Sequence, residues 1–432
     1  MEGAVSVLRI RGGRPLTGSV EIPGSKNASL ALLSAILLGS KPSRLTNLPE
    51  ITDVEVKAHL LERFGADVQV EGDHVLVDPS KIRHAEADDR FRLIRTSFYM
   101  LGPLLARIGY ARMPAPGGCK IGARPLDFHL RGLEMMGASI ELENGFYVAR
   151  TDGLKGAEIY LDFPSAGATQ HLMSTATLAD GITVIQNAAC EPEVCALARF
   201  LNAMGARIEG AGTPTITVVG VTRLEGTEFR IPADRLQAGT YLLGAAMTQG
   251  DVTVQGILPE EQIALMNKLR EAGADVQEGS DWVRVSASQR LKPIRVKTMP
   301  HPGFHTDLQQ PMCALLTTAD GTSVIEETIY ESRIGQVPEL VRMGAKIRVE
   351  GRSMVITGVR SLKGARVDAT DLRAGAALCL AGCAAEGETI VGNLHFVDRG
   401  YQDIEGKLSS LGADITRIRI SDTKTARSAD VV

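Results

Sequence analysis

Apolar residues along this chain recur in two alternating rhythms. Stretches with apolar positions three and four apart, such as LLERFGADV and FLNAMGARI, give way at a Gly-Ala pair to runs like DVQVEGDHVLVD, where apolar and polar residues alternate. The first rhythm predicts a helix with one buried face, the second a half-buried strand. Six copies of the junction stand out: LERFGADVQV, LEMMGASIEL, LNAMGARIEG, LREAGADVQE, LVRMGAKIRV and LSSLGADITR, with glycines at 65, 137, 205, 273, 344 and 412. Their intervals are 72, 68, 68, 71 and 68 residues, too regular for coincidence and too long for a simple solenoid repeat. Upstream of each copy a second helical pattern closes at a glycine turn (39, 109, 181, 250, 321 and 387), and a short β-branched strand follows. Each unit therefore reads strand, helix, strand, helix, strand, strand. Six repeated units of about 70 residues make an α/β protein, and two groups of three would cross near residues 230 to 235.

The repeat also points to chemistry. Counting 13 or 14 residues back from the turn glycines reaches Lys26, Arg95, Gly167, Gln237, Asp307 and Arg373, the expected start of each unit's first helix. Helix starts carry free N–H groups and partial positive charge. Several converging on one cleft, with Lys26, Arg95 and Arg373 added, would form an anion site; for any one position a plain surface helix start is an equal expectation.

Composition narrows the function classes. The 432 residues suggest two or three domains, 44% hydrophobic and 23% charged residues fit a globular chain, and a net charge of −4 argues against broad nucleic-acid binding. No apolar run approaches the roughly 20 residues of a membrane span, and the first residues, MEGAVSVLRIRGG, lack the pattern of a secretion signal, so a cytoplasmic location without membrane insertion is expected. Six scattered cysteines and eight scattered histidines offer neither a disulfide framework nor zinc-ligand spacing, so no metal is expected. Neither GxxxxGK[ST] nor GxGxxG occurs.

One unit departs from the others. Between its two glycines the second unit uses 28 residues where the others use 23 to 26, and it carries PAPGGCKIGARPLDFH. Extra length of this kind marks a working loop. The loop places Cys119 beside Lys120 and five residues before Arg124, a setting that favours thiolate. Cys190, Cys195, Cys313, Cys379 and Cys383 lie in apolar, helical surroundings and are expected to be inert.

In PGGCKIGARPLDFHLRGLEMMGA the sequence resembles the bacterial UDP-N-acetylglucosamine 1-carboxyvinyltransferases, a family of enolpyruvyl transferases. The likeness continues through GSKNASLALLSAILL, SAGATQHLM, DRLQAGTYLL, HPGFHTDLQQP, ESRIGQVPELVRMGA, ATDLRAGAALCLAGCAAEG and VDRGYQDIEGKLSSLGA. It implies a two-domain inside-out α/β barrel, residues 25–232 forming one three-unit domain and residues 1–24 with 233–432 the other, with the active site between them. The implied reaction transfers the enolpyruvyl group of phosphoenolpyruvate to the 3-hydroxyl of UDP-N-acetylglucosamine, the first committed step of peptidoglycan precursor synthesis. The implied partners are those two substrates, with no cofactor and no obligate protein partner. Two alternatives are a shikimate 3-phosphate enolpyruvyl transferase and a non-catalytic paralogue that binds the nucleotide sugar.

The resemblance also implies roles. Lys26 and Asn27 in GSKN correspond to phosphoenolpyruvate and sugar contacts, Arg124 and Arg399 to phosphoenolpyruvate-binding arginines, and Arg95 and Arg373 to the same basic cleft. Cys119 corresponds to a mobile-loop proton donor, which would make the protein a target of fosfomycin. Asp307 corresponds to the contact with the sugar 3-hydroxyl and a proposed base, and Asp371 lies close to the reacting atoms. The uridine side corresponds to Arg124, Pro125, Leu126, Asp127 and Phe128, to Phe163, Pro164, Ser165 and Ala166, and to Ile329. Two positions depart from the family pattern: PGSKNAS stands for the commoner GAKNAA, and His305 stands where a proline usually precedes the Thr-Asp pair. A structural role is the first expectation for His305. The polar tail SDTKTARSADVV has no pattern and reads as disordered.

Overall fold

A computed structural model describes residues 5–116 and 126–420. Cys119, Arg124, Pro125 and the SDTKTARSADVV tail lie outside the described residues.

The repeat is visible in the backbone. In the third unit the strand Glu158–Tyr160 runs into the helix Ala166–Ala176, then the strand Ile182–Gln186, the helix Pro192–Ala203, and the hairpin Arg207–Glu209 with Thr215–Val219. The first strand pairs in parallel with the second, and the hairpin closes the sheet antiparallel. Five such four-stranded sheets form, and a sixth has three strands, its first strand reduced to a parallel bridge between Glu86 and Arg112. Chain ends complete two sheets: Thr17–Glu21 pairs with Asp251–Gln255, and Val5–Arg11 lies between Glu388–Gly392 and Asp414–Ile420.

The Gly-Ala junction has a backbone cause. Glycines 65, 137, 205, 273, 344 and 412 adopt φ between +91° and +103°, the left-handed region that ends a helix and costs a side-chain-bearing residue energy. The turn glycine at 250 is required for another reason. Its neighbour Gln249 takes the positive φ, while a Cβ at Gly250 would stand 2.0 Å from the Leu16 carbonyl oxygen.

The first helix is buried along nearly its whole length in five of the six units; Leu101–Ile108 of the second unit leaves its last three residues part-exposed. All residues of Arg235–Met247 are buried, and this helix packs on Gln309–Leu316 and Leu372–Ala384. Helices apolar all round belong inside, so they form the core and the sheets face outward. The second helices are amphipathic; Thr52–Arg63 buries Val54, Ala58 and Leu61 along one side. Buried hydrophobic residues fall into two clusters, one drawn from residues 28–231 and the other from 8–22 with 236–415. None of the described helices is long and apolar enough to cross a membrane.

Candidate functional site

Between the two clusters lies a cavity of ≈ 510 Å³ whose lining comes from both. The repeat explains its position. Lys26 opens the helix Lys26–Ala35, Arg95 opens the 3-10 turn Arg95–Met100, and Gly167, Asp307 and Arg373 fall within the first residues of their helical segments; all five line the cavity. Gln237, the sixth equivalent, does not, and its side chain donates instead to the Gly400 carbonyl at 3.1 Å.

Two charged clusters organise the floor. Asp53 Oδ2 stands 2.8 Å from Lys26 Nζ, and Asp53 Oδ1 accepts from Arg399 Nε at 2.8 Å. Burial pushes the Asp53 carboxyl up, but Lys26 and Arg399 more than offset this and hold it below its ordinary value. Burial lowers the Lys26 ammonium, and the attraction of Asp53 restores only part of that. In the second cluster Arg333 Nη1 donates to Asp307 Oδ1 at 2.7 Å and Arg373 Nε to Asp307 Oδ2 at 3.1 Å. Burial alone would raise the Asp307 carboxyl; the two guanidiniums hold it well below the usual carboxylate range.

Asp371 has a different environment. Its Oδ1 caps the helix Leu372–Ala384 by accepting from the Arg373 and Ala374 backbone N–H groups, and its Oδ2 accepts from Gln310 Nε2 at 2.9 Å. His305 caps the turn beside it: Asp307 N–H donates to His305 Nδ1 at 3.0 Å, which requires that nitrogen to be unprotonated. Burial and the nearby Arg235 push the His305 imidazole down to about 3, so it is neutral in ordinary buffers. The histidine therefore fixes where Asp307 sits.

The apolar wall comprises Phe128, Phe163, Pro164, Ala166 and Ile329, with Asn27, Ser165 and Asp371 also lining the cavity. Leu126 and Asp127 do not line it; Leu126 packs against the first cluster and Asp127 is exposed at a helix start. Among the described residues no group of three His, Cys, Asp or Glu side chains could hold a metal ion.

Several lining residues escaped sequence reasoning. Arg333 sits in ESRIGQ and Asp53 in ITDVE, and the pair Thr52-Asp53 repeats at 306–307 and 370–371, a signal that could have flagged Asp53. Glu193 also lines the cavity, buried in a bidentate pair with Arg235 at 3.0 and 3.1 Å that joins the two clusters. No local pattern marks that pair.

Comparison with known proteins bears on this site. Residues 10–408 match the profile of the family described as EPSP synthase (3-phosphoshikimate 1-carboxyvinyltransferase). A UDP-N-acetylglucosamine 1-carboxyvinyltransferase of Halothermothrix orenii is 49% identical over 411 residues, covering 95% of this chain and 99% of that protein. UDP-N-acetylglucosamine 1-carboxyvinyltransferase 1 of Staphylococcus aureus is 50% identical over 414 residues, covering 95% and 98%. Among solved structures, the enolpyruvyl transferase NikO from Streptomyces tendae aligns with a TM-score of 0.88 at 26% identity, covering 97% of this chain and 100% of that one. EPSP synthase from Acinetobacter baumannii, at 18% identity and a TM-score of 0.74 over 96% of this chain and 100% of that one, shares the fold.

Proposed function

Because this chain belongs to the EPSP synthase family of enolpyruvyl transferases, we infer that it transfers the enolpyruvyl group of phosphoenolpyruvate to UDP-N-acetylglucosamine, releasing phosphate. This is the first committed step of peptidoglycan precursor synthesis. The observation that carries the choice of acceptor is about 50% identity, along 95% of the chain, to proteins named for the nucleotide sugar.

The reaction needs a proton for the methylene carbon of phosphoenolpyruvate, a base for the attacking sugar 3-hydroxyl, and cations for the departing phosphate. In this reading Lys26, Arg124 and Arg399 hold phosphate and carboxylate, with Arg95 and Arg373 contributing to the same field. Cys119 delivers the proton. Asp307 receives the 3-hydroxyl, and Asp371 stands beside the carbon that becomes tetrahedral. Asn27 contacts the sugar, while Arg124, Pro125, Phe128, Phe163, Pro164, Ser165, Ala166 and Ile329 receive the nucleotide. Elimination then breaks the carbon–oxygen bond to phosphate and returns a proton from the methyl group, regenerating the double bond on the sugar ether.

Drawing the cavity lining from both hydrophobic clusters supports dividing the chain into residues 25–232 and residues 1–24 with 233–432, three units each, with the site between. Such a division permits closure around two substrates. Both substrates are phosphorylated metabolites of the cytoplasm, where the reading puts the work.

Product chemistry tests this reading. Proton NMR of a mixture with both substrates should show two new vinyl signals on an ether at the sugar C3, with phosphoenolpyruvate consumed equally. Consumption without the sugar ether, or no consumption, overturns it.

A further inference from the structure

We propose that Glu327 is a positioning residue that holds the Ile329 wall and the Asp307 carboxylate in one fixed register; this rests on the roles given above to Ile329 and Asp307. Glu327 is 1% exposed and does not line the cavity. A carboxylate so placed must be stabilised by donors, and four reach it from three segments of chain. Its Oε1 accepts from Thr298 Oγ1 at 2.8 Å, from Ile329 N at 2.8 Å and from Tyr330 N at 3.1 Å. Its Oε2 accepts from Thr306 Oγ1 at 2.8 Å.

The two oxygens serve different ends. The Oε1 side shapes the turn carrying Ile329, reinforced by Thr328 N donating to Thr298 Oγ1 at 2.8 Å. The Oε2 side reaches Asp307 through two intermediaries, Thr306 and Arg333. Thr306 gives its single hydroxyl proton to Glu327, leaving its lone pairs for Arg333 Nη1 at 3.0 Å, and the same Nη1 donates to Asp307 Oδ1 at 2.7 Å. A carboxylate at 327 thus fixes which way the Thr306 hydroxyl points, and Arg333, which can only donate, links that oxygen to Asp307. A buried carboxylate used only as filler would be at a disadvantage against apolar packing, whereas one whose two oxygens both accept from surrounding donors specifies geometry.

The asymmetry makes Glu327→Gln informative. An amide oxygen can replace Oε1 and keep its three donors, but the amide NH₂ then faces Thr306 Oγ1 and reverses that link. The Asp307 arm is disturbed while the Ile329 arm survives.

The test compares wild type, Glu327→Gln, Thr306→Val, their double variant and Thr298→Val in the full chain, measuring kcat, KM for each substrate and Tm. Glu327→Gln and Thr306→Val should each lower kcat about 10-fold, the range seen when a partner behind a functional group is lost, with KM for phosphoenolpyruvate unchanged. The double variant should be no worse than either single, because both cut one path. Thr298→Val should raise KM for UDP-N-acetylglucosamine and spare kcat. Additive losses in the double variant, or lower Tm with wild-type kinetics, overturn the inference. Should Glu327→Gln fail to fold, the two threonine variants decide: separate kcat and KM effects support it, and matching or absent effects overturn it. Wild type without nucleotide-sugar-dependent turnover defeats the function reading itself, and this inference with it.

Discussion

Asp53 and Arg399 meet at 2.8 Å, Oδ1 to Nε, although 346 residues separate them and they belong to opposite sides of the cavity. The same carboxylate also holds Lys26. Asp53 thus serves as an internal counter-ion for the cations that a substrate phosphate would occupy, and it ties the two sides together.

Removing that charge takes from the buried Lys26 the carboxylate that faces it, and from Arg399 one of its partners. Asp53→Asn should lower unfolding free energy by about 3 kcal/mol, as expected when one member of a buried ion pair is lost. Added inorganic phosphate should raise its unfolding midpoint more than that of wild type. A variant as stable as wild type and indifferent to phosphate contradicts the counter-ion role.

Asp307 and Asp371 divide by environment. Two guanidiniums grip Asp307, whereas Asp371 caps a helix and binds Gln310. Asp307→Asn should reduce the single-turnover rate about 100-fold or more, the scale of a lost acid–base group. If Asp371→Asn shows an equal small loss beside it, neither is the sole base. The depressed Asp307 ionisation also has a stability consequence with a definite sign. Because the folded carboxyl binds protons less readily than the unfolded one, its contribution is complete above the ordinary value near 3.9 and is lost as pH falls through the lower folded value. Urea midpoints measured from pH 5 downward should fall more steeply for wild type than for Asp307→Asn.

His305 should stay neutral. Its Nδ1 accepts from Asp307 N–H and its ionisation lies at about 3, so NMR of the imidazole from pH 8 to pH 4 should show no titration of that ring. A midpoint near the ordinary histidine value of about 6.5 would contradict the capping role.

Cys119 provides a chemical test outside the described residues. Fosfomycin should inactivate the wild type through this thiol, while Cys119→Asp, which keeps an acid but removes the nucleophile, should resist it. Full wild-type activity after prolonged exposure contradicts the assignment.

Much of this was legible in the sequence because repetition amplifies weak signals. One Gly-Ala junction says little, but six at near-constant spacing fix the unit, and a shared left-handed backbone at each glycine is the physical reason. The same spacing found Lys26, Arg95, Asp307 and Arg373, since equivalent helix starts converge on the cavity. It misled at Gln237, whose side chain turns to Gly400. Arg333, the Glu193–Arg235 pair and Glu327 stayed hidden because their roles depend on partners brought close only by folding, whereas Asp53 shares the Thr-Asp pair found at 306–307 and 370–371. For Glu193 and Arg235 the partners are 42 residues apart.

The most direct measurement is phosphate release from phosphoenolpyruvate with UDP-N-acetylglucosamine, with shikimate 3-phosphate, or with no acceptor, using Cys119→Ser as the control. Release is expected only with the nucleotide sugar, and greatly reduced in the variant. Release with shikimate 3-phosphate alone, or with neither acceptor, would contradict it.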